Sequence, residues 1–148
     1  MSLPGFFAVK RDLTDEVTTI VANFHGVIFK ILRIMRKIEP NMLELEDLQK
    51  KLGIARDLDP LLIINRCKDK IWMFRESIIN EDSDFFMKNK FSEFVKNDEN
   101  KPFMYTMINL IKTKWKELSA PEQKEIWRMI KELLRHIIEY KQATSDHL

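Results

Sequence analysis

Val17, Ile20, Val21, Phe24, Val27, Ile28, Ile31, Ile34, Met35 and Ile38 recur at three- and four-residue spacings. That period is helical, and a stripe so broad over about six turns belongs in the middle of a bundle. A chain holding such a helix must supply other helices to cover it. The rest of the sequence is suited to that task. Glycine occurs three times in 148 residues, and the five prolines fall at plausible helix boundaries. The reading is an all-α fold, a single-domain bundle of about six helices.

The first helix starts at an Asp12 or Thr14 cap, with Asp15 and Glu16 in its opening turn, and Pro40 stops it. Lys30, Arg33, Arg36 and Lys37 gather towards its far end, where cations suit the dipole. The same cluster suits a phosphate or an acidic partner. A short second helix runs from Glu44 to Leu52 with Gly53 as its C-terminal cap. Asp59-Pro60 opens a third, which carries Leu61, Ile64, Cys67, Ile71, Phe74 and Ile78 and runs to about Asn80. Glu81-Asp82-Ser83-Asp84 reads as an acidic turn and cap, followed by a fourth helix containing Phe85, Phe86, Phe91, Phe94 and Val95. Pro102 starts a fifth that ends near Leu118.

Ser119-x-x-Glu122 has the pattern of a capping box and opens a sixth helix reaching about Gln142. Its Ile126, Ile130, Leu133, Ile137 and Tyr140 step by four, three, four and three. Helices one, three, five and six are expected to form the core, with two and four as cover. Residues 1–11 read as an irregular arm that docks Phe6 and Phe7. Residues 97–101 read as a polar loop marking a sub-boundary, and 143–148 as a frayed tail.

Composition limits the functional classes. An apolar fraction of 45% and a charged fraction of 32% suit a folded globular chain. There is no uninterrupted apolar run of the ~18 residues that mark a membrane span. The opening residues lack a charged start followed by a long apolar run, so no signal peptide is expected. With the single Cys67 this implies a protein of an intracellular, reducing compartment. The net charge of +2 alone does not argue for nucleic acid. Charge is uneven, however. Residues 81–100 hold six acidic against three basic side chains, and residues 101–148 nine basic against six acidic.

No catalytic, cofactor or metal site emerges. His25, His136 and His147 are widely separated, and no Cys pair exists. His136 is expected to be exposed or capping, and Cys67 to be buried on an apolar helix face. Gly5, Gly26 and Gly53 are isolated, which excludes a glycine-rich phosphate loop. Acidic pairs such as Asp82/Asp84 sit where helix caps need them. The chain therefore reads as a non-enzymatic interaction or structural protein that displays apolar helix surface to a protein partner or to a second copy of itself. The surfaces expected to carry this are the arm with Phe6 and Phe7, and an edge of the last helix formed by Trp127, Met129 and Ile138. The alternative is a nucleic-acid module using Lys112, Lys114, Lys116, Lys124, Arg128, Lys131 and Arg135.

Two local resemblances bear on that choice. The pattern Trp115-x-x-Leu118-Ser119-x-x-x-x-Lys124-x-Ile126-Trp127-x-x-Ile130-x-x-Leu133 resembles the C-terminal helical segment of small uncharacterised proteins of large DNA viruses. It implies a viral accessory or virion-associated protein without assigning any residue a role. Phe94-Val95-Lys96 with Lys114-Trp115-Lys116-Glu117-Leu118-Ser119 and Gln123-Lys124 is similar to part of an HMG box. That similarity implies minor-groove binding, but no basic proline-led arm precedes it and the last helix is too apolar.

Overall fold

The computed structural model describes residues 15–88 and 109–144, and the described residues are all-α. The N-terminal arm, with Phe6 and with Phe7, lies outside the described residues, as do the Asp12 and Thr14 caps, the 97–101 loop and residues 145–148. The same holds for Phe91, Phe94 and Val95 of the fourth expected helix and for the beginning of the fifth.

Helix α1 (Asp15–Ile38) ends two residues before Pro40, with Asp15 and Glu16 in its first turn and Arg36 and Lys37 in its last. Its stripe is buried from Val17 to Met35. By length and composition α1 would suffice to cross a bilayer, but here that apolar face is covered by protein. The principal cover is α6 (Ala120–Ala143), which lies against α1 along the length of the bundle. Ile126, Leu133, Ile137 and Tyr140 of α6 join Phe24, Ile28, Ile31 and Met35 of α1 in one apolar core.

Helix α2 (Leu43–Leu58) is longer than its sequence indicates, because Gly53 lies inside it. A glycine cap needs a left-handed backbone, and no described glycine has positive φ. The stop comes instead at Asp59, whose Oδ1 accepts from the Leu61 N–H at 3.1 Å. Leu45, Leu48 and Leu52 are buried, so α2 is a wall of the core rather than a loose cover. The connection to α3 (Leu62–Met73) is consequently only three residues, 59–61.

The third expected helix breaks in two, α3 and α4 (Arg75–Ile79), around Phe74. Arg75 lies over the Trp72 ring at 4.2 Å, and its Nη1 donates to the Trp72 carbonyl at 3.1 Å. A guanidinium thus takes a carbonyl near the end of α3. Helix α4 closes on Glu81 with φ 51°. The Glu81 N–H donates to Ile78 O at 3.1 Å and the Asp82 N–H to Ser77 O at 2.9 Å. This is the Schellman arrangement, with a glutamate where glycine is usual.

Helix α5 (Ser83–Lys88) has no fully buried side chain and acts as cover. Residues 109–114 are helical and tighten into a 3₁₀ turn at Trp115–Glu117. The capping box then opens α6. The Glu122 N–H donates to Ser119 Oγ at 3.2 Å, and the Ser119 N–H donates to Glu122 Oε1 at 2.8 Å.

Candidate functional site

Of the two apolar surfaces expected to meet a partner, the arm contributes nothing to a described site. Phe6 lies outside the described residues, and Phe7 does too. The other surface, the last helix, does not present the apolar edge expected of it. Trp127 and Met129 are each 5% exposed and Ile138 is half-buried. The reason is that α6 is central and has neighbours on more than one side. Helix α5 brings Phe86 to 5.4 Å from the Trp127 ring, and the 3₁₀ turn brings Trp115 to 5.9 Å. Trp127 Nε1–H donates to Ser83 Oγ at 3.3 Å, which satisfies the polar atom of a buried indole. Phe74 and Phe85 extend this ring cluster, with centroids 5.6 Å apart. Periodicity within α6 cannot announce a cover that comes from residues some forty positions earlier.

Three of the seven basic candidates are engaged by carboxylates of the chain. Lys114 bonds Glu39 at 2.7 Å and Glu117 at 3.4 Å, which raises its pKa, chiefly through the Glu39 hydrogen bond. Arg128 is held by Glu125 and, at 3.1 Å, by Glu132, and Lys131 reaches Glu81 at 2.5 Å. These three cations are matched by the chain's own carboxylates. Lys116, Lys124 and Arg135 are exposed and Lys112 is half-buried. The seven are therefore not a set of wholly unmatched charges.

His136 is buried rather than exposed, with Nδ1 3.0 Å from Glu139 Oε1. Cys67 is buried, as its helix face predicts. Lys141 is buried too and meets Asp69 at 3.2 Å, while Tyr140 O–H donates to Asn65 at 2.9 Å. Both contacts join α6 to α3. Among the described residues no three His, Cys, Asp or Glu side chains come together as a metal site requires.

Two features do stand out, both on α2. The first is an outward row. Leu43, Ile54 and Leu58 are 74%, 60% and 82% exposed. Between them Lys50 pairs with Glu46 at 3.4 Å and Lys51 with Asp47 at 2.9 Å. The row is apolar at both ends and charged in the middle.

The second is a cleft of about 600 Å³ between α1 and α2, lined in part by His25, Gly26, Lys30, Arg33, Gln49, Gly53 and Arg56. Beyond its own turn of helix, neither Gly26 nor Gly53 has an atom within 4 Å of where a Cβ would stand. The two glycines therefore leave open space in a region flanked by cations. His25 is 5% exposed, and its Nε2 is buried without a hydrogen-bond partner. Burial, then the nearby Arg56 charge, lowers the His25 pKa, and a hydrogen bond to the Pro60 backbone opposes them. Proline has no N–H, so that bond runs from the ring to the Pro60 carbonyl. Since Nε2 is the orphan, Nδ1 is the donor.

Comparison of the chain with protein-family models, with curated proteins and with solved structures gives no match.

Proposed function

We propose that this chain is a non-enzymatic interaction protein that self-associates through the outward row of α2. The carrying observation is the exposure of Leu43, Ile54 and Leu58 around two internal ion pairs. Apolar side chains grouped on one exposed helix face favour a protein contact. The order of residues also suits a second copy. In an antiparallel pairing centred between Leu48 and Gln49, Leu43 lies opposite the other copy's Ile54. Glu46 then lies opposite Lys51 and Asp47 opposite Lys50, so a two-fold contact matches Leu43 to Ile54 and acid to base, with Leu58 at its rim. A viral accessory or virion-associated role, implied by the C-terminal resemblance, accords with a small protein that acts by assembling.

Light scattering on the purified chain tests the reading. A concentration-dependent dimer is expected, and Ile54→Glu should weaken it by tenfold or more, since a buried apolar contact of this size contributes roughly 1.5–3 kcal/mol. Circular dichroism should be unchanged, because Ile54 faces solvent in the monomer. A strict monomer at high concentration overturns the proposal. A dimer indifferent to both Ile54→Glu and Leu43→Glu places the contact elsewhere.

A further inference from the structure

We propose that the α1–α2 cleft binds a small phosphomonoester. Among the described residues, the permanently charged groups at its wall are all cationic. Lys30, Arg33 and Arg56 are donors only. Gln49 could offer either end of its amide, but its Oε1 already accepts from Arg36 Nη1 at 2.8 Å, which leaves the NH₂ to act in the cleft. Among the described residues no carboxylate lines the cleft. Such a surface asks for a multivalent acceptor, and a phosphate offers three oxygens to two guanidiniums and an ammonium.

Neighbouring acids offset only part of this charge. Asp57 touches the Arg56 Nε at 3.3 Å but stands outside the lining. Glu125 of α6 feels the Lys30 charge, yet Arg128 holds it directly.

The orphaned His25 nitrogen is the second, independent indication. A buried polar atom without a partner is uncommon and costly, and here it belongs to a side chain at the cleft. Nε2 is sealed from solvent in the unliganded chain, so it meets a phosphate oxygen only when the ring turns towards the cleft. The absence of a side chain at Gly26 and Gly53 supplies the room. Phe29, with Arg56 5.1 Å from its centroid, adds an apolar wall for the group that carries the phosphate. The volume is in the usual range of roughly 300–1,000 Å³ for small-molecule sites and is far too small for a stretch of duplex.

The test is an amide-resolved NMR titration of the full chain with phenyl phosphate at constant ionic strength. Saturable shifts are expected at His25, Gly26 and Gly53. Arg33→Gln and Arg56→Gln, both changes at exposed side chains, should each weaken binding by roughly tenfold or more. Gly53→Leu, which fills empty space, should abolish it with the fold intact. Sedimentation with phosphatidylcholine vesicles containing phosphatidic acid identifies the source of the phosphate. Binding lost in Arg33→Gln supports the site with a lipid headgroup as its ligand. Phenyl phosphate binding without sedimentation supports it with a soluble ligand. The proposal is overturned if shifts fail to saturate, if sulfate reproduces them at equal concentration, or if the three variants leave them unchanged. Duplex DNA that shifts the same amides, with an affinity that Gly53→Leu does not impair, would overturn the small-ligand site and assign the charge to nucleic acid instead.

Discussion

His25 shows how one side chain can be both buried and unfinished. Burial and the Arg56 guanidinium disfavour its cation, so its folded pKa lies below the ordinary value. The unfolded chain therefore binds more protons in the interval between the two pKa values. Stability is full above the unfolded value of about 6.5 and declines as pH falls through it towards the folded value. Urea unfolding should accordingly show a lower midpoint at about pH 5.5 than at about pH 7.5, a difference centred on imidazole titration. His25→Asn, which retains a donor for Pro60 without the titration, should shrink that difference. An unaltered pH response in the variant would mean that another group is responsible.

At the scale of the element, the helices separate into those whose limits are local and those whose limits are not. The Ser119/Glu122 box and the stripe of α1 are short-range patterns, and both appear in the structure as their spacing predicts. Ser119→Ala should cost about 1 kcal/mol by leaving the Glu122 N–H without its acceptor, readable as a lower denaturant midpoint. Gly53 was not legible in the same way. A glycine after three leucines at helical spacing resembles a cap, but the next residues continue the turn and the true stop is Asp59. Since Gly53 has helical backbone and open space at its Cβ, Gly53→Ala should stabilise the fold by roughly 0.5–1 kcal/mol. A glycine required as a cap would instead make that variant less stable. The break at Phe74 was equally hidden, because it involves Arg75 folding back onto Trp72 and no helix-breaking residue. The cleft was the least legible feature. Its lining comes from positions 22–33 and 49–56, and only the packing of α2 on α1 makes neighbours of two isolated glycines.

Across the whole molecule, α1 and α6 form the main pair, with α2, α3 and α4 arranged around them. Phe24, Ile31, Ile126 and Ile137 are almost wholly removed from solvent, whereas α5 buries nothing completely. Hydrogen exchange should therefore be slowest in the middles of α1 and α6, at similar rates, because neither keeps its cover without the other. Amides of α5 should exchange much faster. Independent protection of α1, with α6 exchanging freely, would contradict a shared core. The same pairing has a consequence for synthesis. Helix α1 leaves the ribosome long before α6, and at roughly 5–20 residues per second the interval is several seconds. Through that interval the nascent chain carries, without its principal cover, a segment long and apolar enough to cross a membrane. Whatever meets the growing chain, a chaperone or a targeting factor, encounters that segment before the helix that will cover it has been made.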